Sequence, residues 1–417
     1  MFWKNQTQKQ IVILGAGFAG LRAALDIAKG LPHDRVILVD QKPFQVYHPA
    51  LHEVATSLRW QADVFMLKGT VAVEIDDVVA RRKNITFKQA KVELVDVNKR
   101  IVRTDTGDLA YDYLVIALGS KTDYYGIPGL EQRALPLKTF EDGVKIRNRI
   151  YESFVSFSRT QDVHNLSFII GGGGFSGVEL ASEMVNCLRR IAGRERGTVP
   201  AYSVWLIEGA NQLLPGFPAK LSNFIKRRLE YLGVKVLTGS RITEARDNGV
   251  VIDNHVTIPG STIIWTGGVR ACGITFNKNI PLDSKDRIMV SSRLNLETHP
   301  EVFIAGDVSC FHDKNTGRPL PQTAQMALHQ AKHAARGVIS LAYGSNVPIY
   351  RPKKKHPFII TLSGKYAAVY ENNKIIAGWP AYLVRKFSDL RYLMSVLPWR
   401  KALPFWFKGS VILLKND

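Results

Sequence analysis

The chain has 417 residues, 46% of them hydrophobic and 22% charged, with a formal net charge of +20. That length predicts two or three domains, and the composition is typical of globular proteins and excludes disordered and collagen-like chains. The three cysteines form no CxxC pair, which argues against a disulfide scaffold or a cysteine zinc site and suits a reducing cytoplasm. No run of 18 apolar residues occurs, so we expect no membrane-spanning helix, and residues 1–10 are too polar for a signal peptide.

The chain opens with a strand, a glycine-rich turn and a helix. The apolar run Gln10–Leu14 leads into Gly15-x-Gly17-x-x-Gly20, and the strand after the helix ends in Asp40. The first glycine permits a tight turn, the second lets the backbone approach a pyrophosphate, and the third lets the helix pack against the strand. Asp40 can accept hydrogen bonds from an adenosine ribose. The order of these elements predicts a dinucleotide-binding βαβ unit.

Shorter strands fill the next hundred residues. Lys91–Val97 and Arg100–Thr104 have the pattern of a hairpin, and Tyr113–Leu118 that of a buried strand before Gly119. Gly126–Gly129 then supplies a turn-rich linker. Because a buried strand that ends in small residues is expected at a crossover between domains, we place a domain boundary near residue 125.

The opening pattern recurs about 157 residues later. A strand precedes Gly172-x-Gly174-x-x-Gly177, and the strand after the next helix ends in Glu208. A carboxylate at this position suits a ribose 2′-hydroxyl and would repel a 2′-phosphate, which favours NADH over NADPH. The acid follows the first glycine by 36 residues, and we assign the excess length to a basic insertion at residues 188–201. The arginines of that insertion leave NADPH as an alternative.

A third strand and turn complete the pattern expected for two cofactors. Val302–Ala305 is an apolar run that ends in Gly306-Asp307, and a helix is predicted over Thr323–Ser340. Two dinucleotide sites suggest FAD bound tightly and NADH exchanged as co-substrate, an arrangement for hydride transfer. In that setting Asp307 would hydrogen-bond the ribityl hydroxyls of FAD.

Together these motifs resemble the type II NADH dehydrogenases, the NADH:quinone oxidoreductases of the two-dinucleotide-binding flavoprotein superfamily. The resemblance covers roughly residues 10–415. The matching stretches are Ile11–Gly20, Tyr47–Ala55, Tyr113–Pro128, Gly171–Glu183, Ile264–Arg270, Phe303–Asp307 and Thr323–Gln330. Leu118 and Gly267 depart from the Thr and Ala that members of the family usually have. The resemblance implies an α/β fold of two Rossmann-like, glutathione-reductase-like dinucleotide-binding domains with a small C-terminal membrane-associating region.

The resemblance also implies a division of the chain. Residues 1–125 and 276–345 would form the FAD-binding domain, residues 126–275 the NADH-binding domain, and residues 346–417 the membrane-associating region. Motifs and resemblance together assign cofactor binding to Gly15, Gly17, Phe18, Ala19, Gly20, Asp40, Gln41, His48, Ala117, Gly119, Gly172, Gly174, Gly177, Glu179, Glu208, Gly268, Gly306, Asp307, Ala324 and Gln325.

Three residues are assigned catalytic roles by the resemblance. Glu179 would lie near the nicotinamide and the flavin, and the Ala324–Ala327 segment would open a helix beneath the flavin and line a quinone pocket. Gln325 and His329 are four residues apart and share one helical face, so both could hydrogen-bond a quinone carbonyl. A merely solvated His329 is the alternative, and Glu179, His329 or water could supply the protons. We interpret Glu183 as a surface carboxylate.

Two histidines in the Tyr47–Ala55 segment raise the possibility of a metal site. His48 and His52 are close in sequence, but no third or fourth ligand has a suitable spacing. We therefore expect no metal site. We place His48 in a loop against the isoalloxazine ring and give His52 a packing role.

The C-terminal residues carry much of the charge. Residues 351–417 contain 13 Lys and Arg against 3 Asp and Glu, half of the net +20. Ala381–Leu397 has an apolar stripe with Arg385 and Asp389 off it, and Trp399–Leu414 is aromatic, basic and interrupted by Pro404. Aromatic and basic residues on an amphipathic helix are typical of interfacial helices. We expect a peripheral protein on the cytoplasmic face of the cell membrane; burial of the stripe in a homodimer is the alternative.

The expected reaction is FAD-dependent, non-proton-pumping transfer of two electrons from NADH to a membrane quinone. A sulfide:quinone oxidoreductase would need a redox cysteine pair, for which Cys272 and Cys310 are candidates only if the fold brings them together. A non-catalytic flavin redox sensor or a nucleic-acid binder with a basic tail is the alternative from another class. The aromatic residues of the tail favour lipid over nucleic acid, although bases can also stack on aromatic rings.

Overall fold

A computed structural model of the protein describes residues 8–60, 62–194, 202–314, 316–352 and 357–414. Residues 195–201 of the expected basic insertion lie outside the described residues. The rest of that insertion belongs to the end of a long helix and the turn after it.

The first third of the chain combines short strands with four α-helices. Its strands are β1 (Gln10–Leu14), β2 (Arg35–Asp40), β3 (Phe44–Val46), β4 (Ala72–Glu74), β5 (Ile85–Gln89), β6 (Val92–Asp96), β7 (Ile101–Thr104), β8 (Gly107–Ala110), β9 (Tyr113–Ile116) and β10 (Ser120–Thr122). Its helices are α1 (Phe18–Gly30), α2 (Leu51–Ala55), α3 (Val64–Val71) and α4 (Ile75–Val79), with a 3-10 helix at His48–Ala50.

The middle of the chain repeats this alternation. Its strands are β11 (Ala134–Pro136), β12 (Ser167–Gly171), β13 (Ser203–Glu208), β14 (Val234–Thr238), β15 (Ile242–Arg246), β16 (Gly249–Ile252), β17 (Val256–Pro259), β18 (Thr262–Trp265), β19 (Val269–Ala271) and β20 (Thr275–Phe276). Its helices are α5 (Leu130–Arg133), α6 (Phe140–Thr160), α7 (Phe175–Ala192) and α8 (Ala219–Leu232), with a 3-10 helix at Val163–Leu166.

The last third ends in two helices. Its strands are β21 (Ile288–Met289), β22 (Val302–Ile304), β23 (Ser309–Cys310), β24 (Phe358–Thr361), β25 (Ala367–Glu371) and β26 (Lys374–Gly378). Its helices are α9 (Ala324–Ala342), α10 (Trp379–Val396) and α11 (Trp399–Leu414), with a 3-10 helix at Gly306–Val308.

Two five-stranded parallel sheets form the framework. The first has the order β22-β9-β1-β2-β5, and the second has the order β11-β18-β12-β13-β14. In each sheet the central strand is the one that precedes a glycine-rich turn. Ligands of such sheets bind beyond the carboxyl ends of the strands. The predicted α/β fold with two Rossmann-like units is therefore confirmed.

The chain returns to the first sheet after it has built the second. β22 pairs with β9, and α9 then packs against α1. Gly30 of α1 permits this close packing, because a Cβ there would lie 2.4 Å from Cδ1 of Ile339 in α9. The helix predicted over Thr323–Ser340 is confirmed, and Thr323 caps it by accepting a hydrogen bond from the Met326 N–H at 3.2 Å.

Smaller sheets flank the two large ones. The predicted hairpin is β6–β7, within the sheet β20-β6-β7-β8, and β15-β16-β17 forms a meander beside the second large sheet. β24-β25-β26 forms the meander that precedes the C-terminal helices. The remaining pairs are β3-β4, β10-β19 and β21-β23.

The last helix is continuous, so the predicted interruption at Pro404 is wrong. A proline removes only one backbone donor from a helix, and packing can compensate for that loss. Trp406, one half-turn beyond the proline, donates its indole N–H to the Lys386 carbonyl of α10 at 2.8 Å. Among the described residues, no helix combines the length and hydropathy needed to cross a bilayer.

The orientation of α10 also differs from the prediction. Arg385 and Asp389, expected on the polar face, are buried and form an ion pair at 3.1 Å. The stripe is divided, because Leu393 and Leu397 are buried whereas other apolar residues face outward. The exposed apolar side chains of α10 and α11, which we call the apolar face, are Trp379, Leu383, Val384, Phe387, Met394, Trp399, Leu403, Phe407 and Val411.

Candidate functional site

The two glycine-rich turns have the same internal packing. A Cβ on Gly20 would lie 1.7 Å from the Gly15 carbonyl oxygen, and one on Gly177 would lie 1.9 Å from that of Gly172. Gly15 and Gly172 themselves have φ of +94° and +103°, in the left-handed region that favours glycine. The folding of each turn therefore requires its first and third glycines.

The middle glycines are different. Gly17 and Gly174 have φ of −77° and −73° with extended ψ, a conformation open to any residue. A Cβ on either would meet no atom of the protein within 4 Å. Protein packing therefore does not require these glycines, whereas a pyrophosphate approaching the backbone would.

Both turns end at helix N-termini suited to an anion. Gly17 and Gly174 are the N-caps of α1 and α7, and no side chain caps either helix. Neither helix has an acidic residue in its first turn. The exposed N–H groups and the helix dipole then favour a phosphate at each position.

Asp40 and Glu208 each brace the turn beside them. Asp40 accepts hydrogen bonds from the backbone N–H groups of Ala16 at 2.7 Å and Lys42 at 2.9 Å. Glu208 accepts from Gly173 at 2.6 Å and Ala210 at 2.7 Å. A carboxylate has about four acceptor positions, so each retains capacity for a ribose hydroxyl. Gln41, next to Asp40, is exposed at the end of the same strand.

The end of β22 forms another wall of the first site. Asp307 accepts a hydrogen bond from the Ser120 hydroxyl at 2.6 Å, and its carboxylate lies 3.8 Å from the Lys138 ammonium. Lys138 also donates to the Ser120 oxygen at 2.9 Å. The buried amide of Gln330 fixes the turn by accepting from the Gly306 N–H at 2.7 Å. Sequence reasoning found Asp307 but missed Lys138 and Gln330, which lie far away along the chain.

The N-termini of α1 and α9 meet at this turn. A Cβ on Gly306, whose φ is +81°, would lie 3.2 Å from the Ala19 Cβ and 3.7 Å from the Ala327 Cβ. Ala324 begins α9 directly beyond this contact. The glycine turn, Asp307 and the start of α9 therefore lie close together.

The two residues proposed to contact a quinone share one face of α9. Gln325 is exposed, and its side-chain N–H donates to the Pro357 carbonyl at 3.3 Å. The Nδ1 atom of His329 lies 2.9 Å from the Tyr350 hydroxyl, so this histidine is held in place rather than merely solvated.

His48 lies between the first glycine turn and the second unit. Its ring centroid is 6.3 Å from that of Phe18, the first residue of α1. Phe18 also contacts Tyr47 and, at 4.8 Å, Tyr392 of α10. An aromatic cluster therefore joins the first site to the C-terminal helices.

Further residues proposed to bind a cofactor are Ala117, Gly119 and Gly268. Ala117 donates its N–H to the Leu14 carbonyl at 2.8 Å, and Gly119 follows with φ of +75°. Gly268 accepts from the Asp123 N–H at 3.1 Å, and a Cβ on it would lie 2.3 Å from the Tyr125 hydroxyl. The positive φ of Gly119 and the close approach of Tyr125 to Gly268 explain these two glycines.

A buried hydrogen-bonded chain links the second unit to the first. The Thr361 hydroxyl donates to Glu179 Oε1 at 3.0 Å, and the Thr361 N–H donates to the same oxygen at 3.2 Å. His52 Nε2 lies 3.2 Å from the Thr361 oxygen and is therefore its donor. His52 Nδ1 is 3.7 Å from the other Glu179 oxygen. Sequence reasoning assigned Glu179 but not Thr361, which lies 182 residues later on β24.

Glu183 is buried, so its interpretation as a surface carboxylate is wrong. One oxygen accepts from the Gly364 N–H at 3.0 Å and the other from the Asn186 side chain at 2.9 Å. Burial raises the pKa of Glu183. This residue fastens the turn after β24 to α7, next to the Glu179–Thr361 pair.

His52 makes stability depend on pH. The side chain is 3% exposed, and burial lowers its pKa from 6.5 to about 4. The unfolded chain therefore binds a proton at His52 below pH 6.5, while the native protein resists it to about pH 4. We expect this residue to reduce the free energy of unfolding by about 2 kcal/mol between pH 7 and pH 5.

Urea denaturation at the two pH values measures that loss. In His52→Gln, the difference in the free energy of unfolding between pH 7 and pH 5 should be smaller than in wild type by about 2 kcal/mol. His164 lies in a surface turn, so His164→Gln should leave this difference unchanged. An unaltered difference in His52→Gln would contradict the assignment.

The structure also bears on metal and thiol chemistry. Among the described residues, no group of three or more His, Cys, Asp or Glu side chains could hold a metal ion. Cys187, Cys272 and Cys310 are all free, and burial raises the pKa of each thiol. These thiols are therefore not activated as thiolates at neutral pH.

Two parallel sheets, each with a glycine-rich turn after its central strand, define an oxidoreductase of the pyridine-nucleotide-dependent flavoprotein class. The chain belongs to the pyridine nucleotide-disulphide oxidoreductase family, whose sequence pattern matches residues 9–331. The family name refers to a disulphide, but all three cysteines of this chain are unpaired.

Curated relatives resemble most of the chain. A type II NADH:quinone oxidoreductase of Staphylococcus haemolyticus is 28% identical over 347 residues, covering 81% of this chain and 84% of that protein. A protein of the same name from Staphylococcus epidermidis is 26% identical over 399 residues, covering 94% and 96%.

Solved structures show the same fold. NDH2 from Plasmodium falciparum in complex with NADH superposes with a TM-score of 0.84 at 18% identity and covers 97% of this chain and 98% of that one. The sulfide:quinone oxidoreductase of Aquifex aeolicus gives a TM-score of 0.75 at 16% identity, with coverage of 98% and 92%.

Proposed function

We propose that the protein is an FAD-dependent NADH:quinone oxidoreductase that works at a membrane surface without pumping protons. The observation that carries this proposal is the presence of two middle glycines, Gly17 and Gly174, whose missing side chains leave space that only a ligand needs. The names of the curated relatives supply the electron donor and acceptor.

The residues around the first glycine turn fit FAD. The N-terminus of α1 would hold the pyrophosphate, Asp40 a ribose and Asp307 the ribityl chain, while Ala324 at the start of α9 would face the flavin. When bound, FAD supplies the two-electron chemistry, and the protein supplies position and electrostatics. Residues 1–125 and 276–345 form this site in the proposal, residues 126–275 hold NADH, and residues 346–417 contact the membrane.

Three side chains of the protein would act on the acceptor side. Gln325 and His329, on one face of α9, would orient a quinone carbonyl by hydrogen bonding. Glu179 would lie where the two units meet, with Thr361 and His52 fixing its carboxylate. Reduction of a quinone to a quinol needs two protons, and Glu179, His329 or water would deliver them.

Glu208 supports NADH rather than NADPH as the donor. Its carboxylate would accept from the ribose 2′-hydroxyl and repel a 2′-phosphate. In Glu208→Gln the ratio of kcat/KM for NADPH to that for NADH should rise about tenfold, since removal of a repulsion near 1.4 kcal/mol has that effect. Steady-state kinetics with both nucleotides measures the ratio. The exposed-carboxylate control Glu230→Gln should leave it unchanged, and an equal change in both variants would refute the role of Glu208.

The apolar face supports attachment to a membrane. Exposed aromatic and aliphatic side chains on α10 and α11 are accompanied by the basic residues Lys386, Arg391 and Arg400. Lys or Arg contributes about 1 kcal/mol each near an anionic surface. A quinone with an isoprenoid tail stays in the bilayer, so its reductase must approach the membrane surface, and we propose the cytoplasmic face. Burial of the same residues in a homodimer is the competing arrangement.

The proposed activity is tested with purified protein. A flavin spectrum should show bound FAD, NADH should bleach it, and addition of a short-chain quinone should restore it with net NADH oxidation. Flavin that remains oxidised in the presence of NADH would refute the proposal, as would a preparation that binds no flavin.

The sulfide:quinone alternative has little support from the thiols. It requires a pair of redox cysteines, and the cysteines here are unpaired, with thiol pKa values raised by burial. Quinone reduction with sulfide in place of NADH distinguishes the two activities.

A further inference from the structure

A groove of about 410 Å³ lies between α3 and α11, at the edge of the apolar face. Lys68 and Gly69 line it on α3, and Lys401, Phe405 and Lys408 line it on α11. The two helices come from opposite ends of the chain, so the groove exists only in the folded protein. None of the nucleotide-binding residues lines it.

Three lysines and two carboxylates, those of Glu74 and Asp77, line the groove, so its lining has a net positive charge. Lys401 is paired with Asp77 at 3.4 Å. Lys68 and Lys408 have no carboxylate within 4.0 Å in the described part of the chain. Lys68 instead lies over the Phe44 ring, with 4.4 Å between the ammonium and the ring centroid. An anion within reach of both ammonium groups would gain two charge-assisted hydrogen bonds.

Gly69 makes the position of Lys408 possible. A Cβ on Gly69 would lie 2.7 Å from the Lys408 ammonium nitrogen, so the bare backbone of α3 leaves the space that the ammonium fills. Both Gly69 and Lys408 line the groove.

Exposed apolar side chains lie on the two helices that form the groove. Phe65 is 87% exposed on the α3 side, and Trp399, Leu403 and Phe407 follow one another at four-residue spacing along α11. Aromatic side chains beside lysines are typical of the membrane interface, where the rings enter the acyl region and the ammonium groups remain at phosphate depth. A free phosphate would contact only the ammonium groups. A phospholipid would contact the ammonium groups with its headgroup and the apolar side chains with its acyl chains.

We propose that the groove formed by Lys68, Gly69 and Lys408 binds the phosphodiester headgroup of an anionic glycerophospholipid. The acyl chains would then lie along Phe65 and Phe407. The site rests on the proposed attachment of the apolar face to a membrane, and it adds a specific headgroup contact to a general surface attraction.

The test compares two double variants that lose the same charge. Lys68→Gln/Lys408→Gln removes the groove ammonium groups of α3 and α11, and Arg391→Gln/Arg400→Gln removes two exposed charges of α10 and α11 outside the groove. With vesicles of phosphatidylcholine containing 30 mol% phosphatidylglycerol, we expect both double variants to bind more weakly than wild type, and the groove variant to bind at least about tenfold more weakly than the control.

A third variant keeps every charge. Gly69→Ala should displace the Lys408 ammonium and weaken vesicle binding several-fold. Wild-type protein should also bind dibutyryl-phosphatidylglycerol, a water-soluble form of the lipid, in calorimetry, and inorganic phosphate should not compete. NADH oxidation with a short-chain quinone and bound flavin content should remain normal in all variants, which shows that they fold.

The outcomes separate the groove from the attachment itself. If both double variants lost vesicle binding equally, headgroup binding in the groove would be refuted, but attachment of the protein to the membrane would not. Competition by inorganic phosphate would replace the lipid with a simple anion site and would also overturn it. Wild-type protein that binds none of the vesicles would refute the attachment on which the groove depends.

Discussion

Alanine at Gly174 is expected to reduce the rate of flavin reduction by NADH roughly 100-fold while leaving the protein folded and yellow. A Cβ at this position meets no protein atom within 4 Å, and the backbone there has φ of −73°, so folding is unaffected. The same Cβ would occupy the approach of the nicotinamide dinucleotide pyrophosphate to the α7 N-terminus. Misplacement of a bound reactant by about 1 Å can cost two orders of magnitude in rate.

Stopped-flow reduction at several NADH concentrations measures the effect, with flavin content as the measure of the first site. The matched substitution Gly17→Ala should affect the other cofactor: the protein should fold but contain no bound FAD. Gly177→Ala is a different control: its Cβ would lie 1.9 Å from the Gly172 carbonyl oxygen, so it should destabilise the fold itself. Normal NADH kinetics in Gly174→Ala would exclude this helix N-terminus as the nucleotide site.

The parts of the fold that the sequence predicted correctly depend on local chemistry. Each glycine turn follows a buried strand and precedes a helix within six residues, and the backbone at Gly15 and Gly172 allows few other residues. The helix predicted over Thr323–Ser340 likewise has a local cause, because the capping hydrogen bond of Thr323 is made within one helical turn. Each of these features depends on residues within one short segment, so it can be predicted without knowledge of the tertiary structure.

The site also depends on contacts between residues that are far apart in the sequence, and local sequence patterns do not predict such contacts. Thr361 bridges His52 and Glu179, which are 309 and 182 residues away along the chain. Nothing in the short strand around Thr361 distinguishes it from an ordinary sheet residue. Its role follows only from the placement of β24 against α7.

The apolar stripe of α10 shows a different limit. Helical periodicity locates residues that share a face, but it does not say whether protein or solvent covers that face. Arg385 and Asp389 look like solvent-exposed charges because such residues are almost never buried alone. Because the two residues are four apart, they can be buried together as an ion pair. In the structure they are buried in this way, whereas Phe387 and Leu383 are exposed to solvent.

That buried pair yields the second large effect: Asp389→Ala is expected to reduce the free energy of unfolding by about 3–5 kcal/mol. Asp389 pairs with Arg385 at 3.1 Å and accepts a hydrogen bond from the Tyr47 hydroxyl at 2.5 Å. Burial, reinforced by Asp389, raises the pKa of Tyr47 well above its ordinary value, so the phenol stays protonated and keeps donating. Removal of the carboxylate leaves a buried guanidinium without its counter-charge.

Urea denaturation of Asp389→Ala and of the double variant Arg385→Met/Asp389→Leu distinguishes charge pairing from simple packing. The double variant replaces both charges with apolar groups and should recover most of the lost stability. Asp247→Ala, which breaks an exposed ion pair with Arg133, should cost less than about 1 kcal/mol. Arg385 also donates to the Pro49 carbonyl at 2.8 Å, so the ion pair connects α10 to the segment that holds His48 beside the proposed flavin site. If the double variant were as unstable as the single one, packing around α10 rather than the paired charges would hold that segment in place.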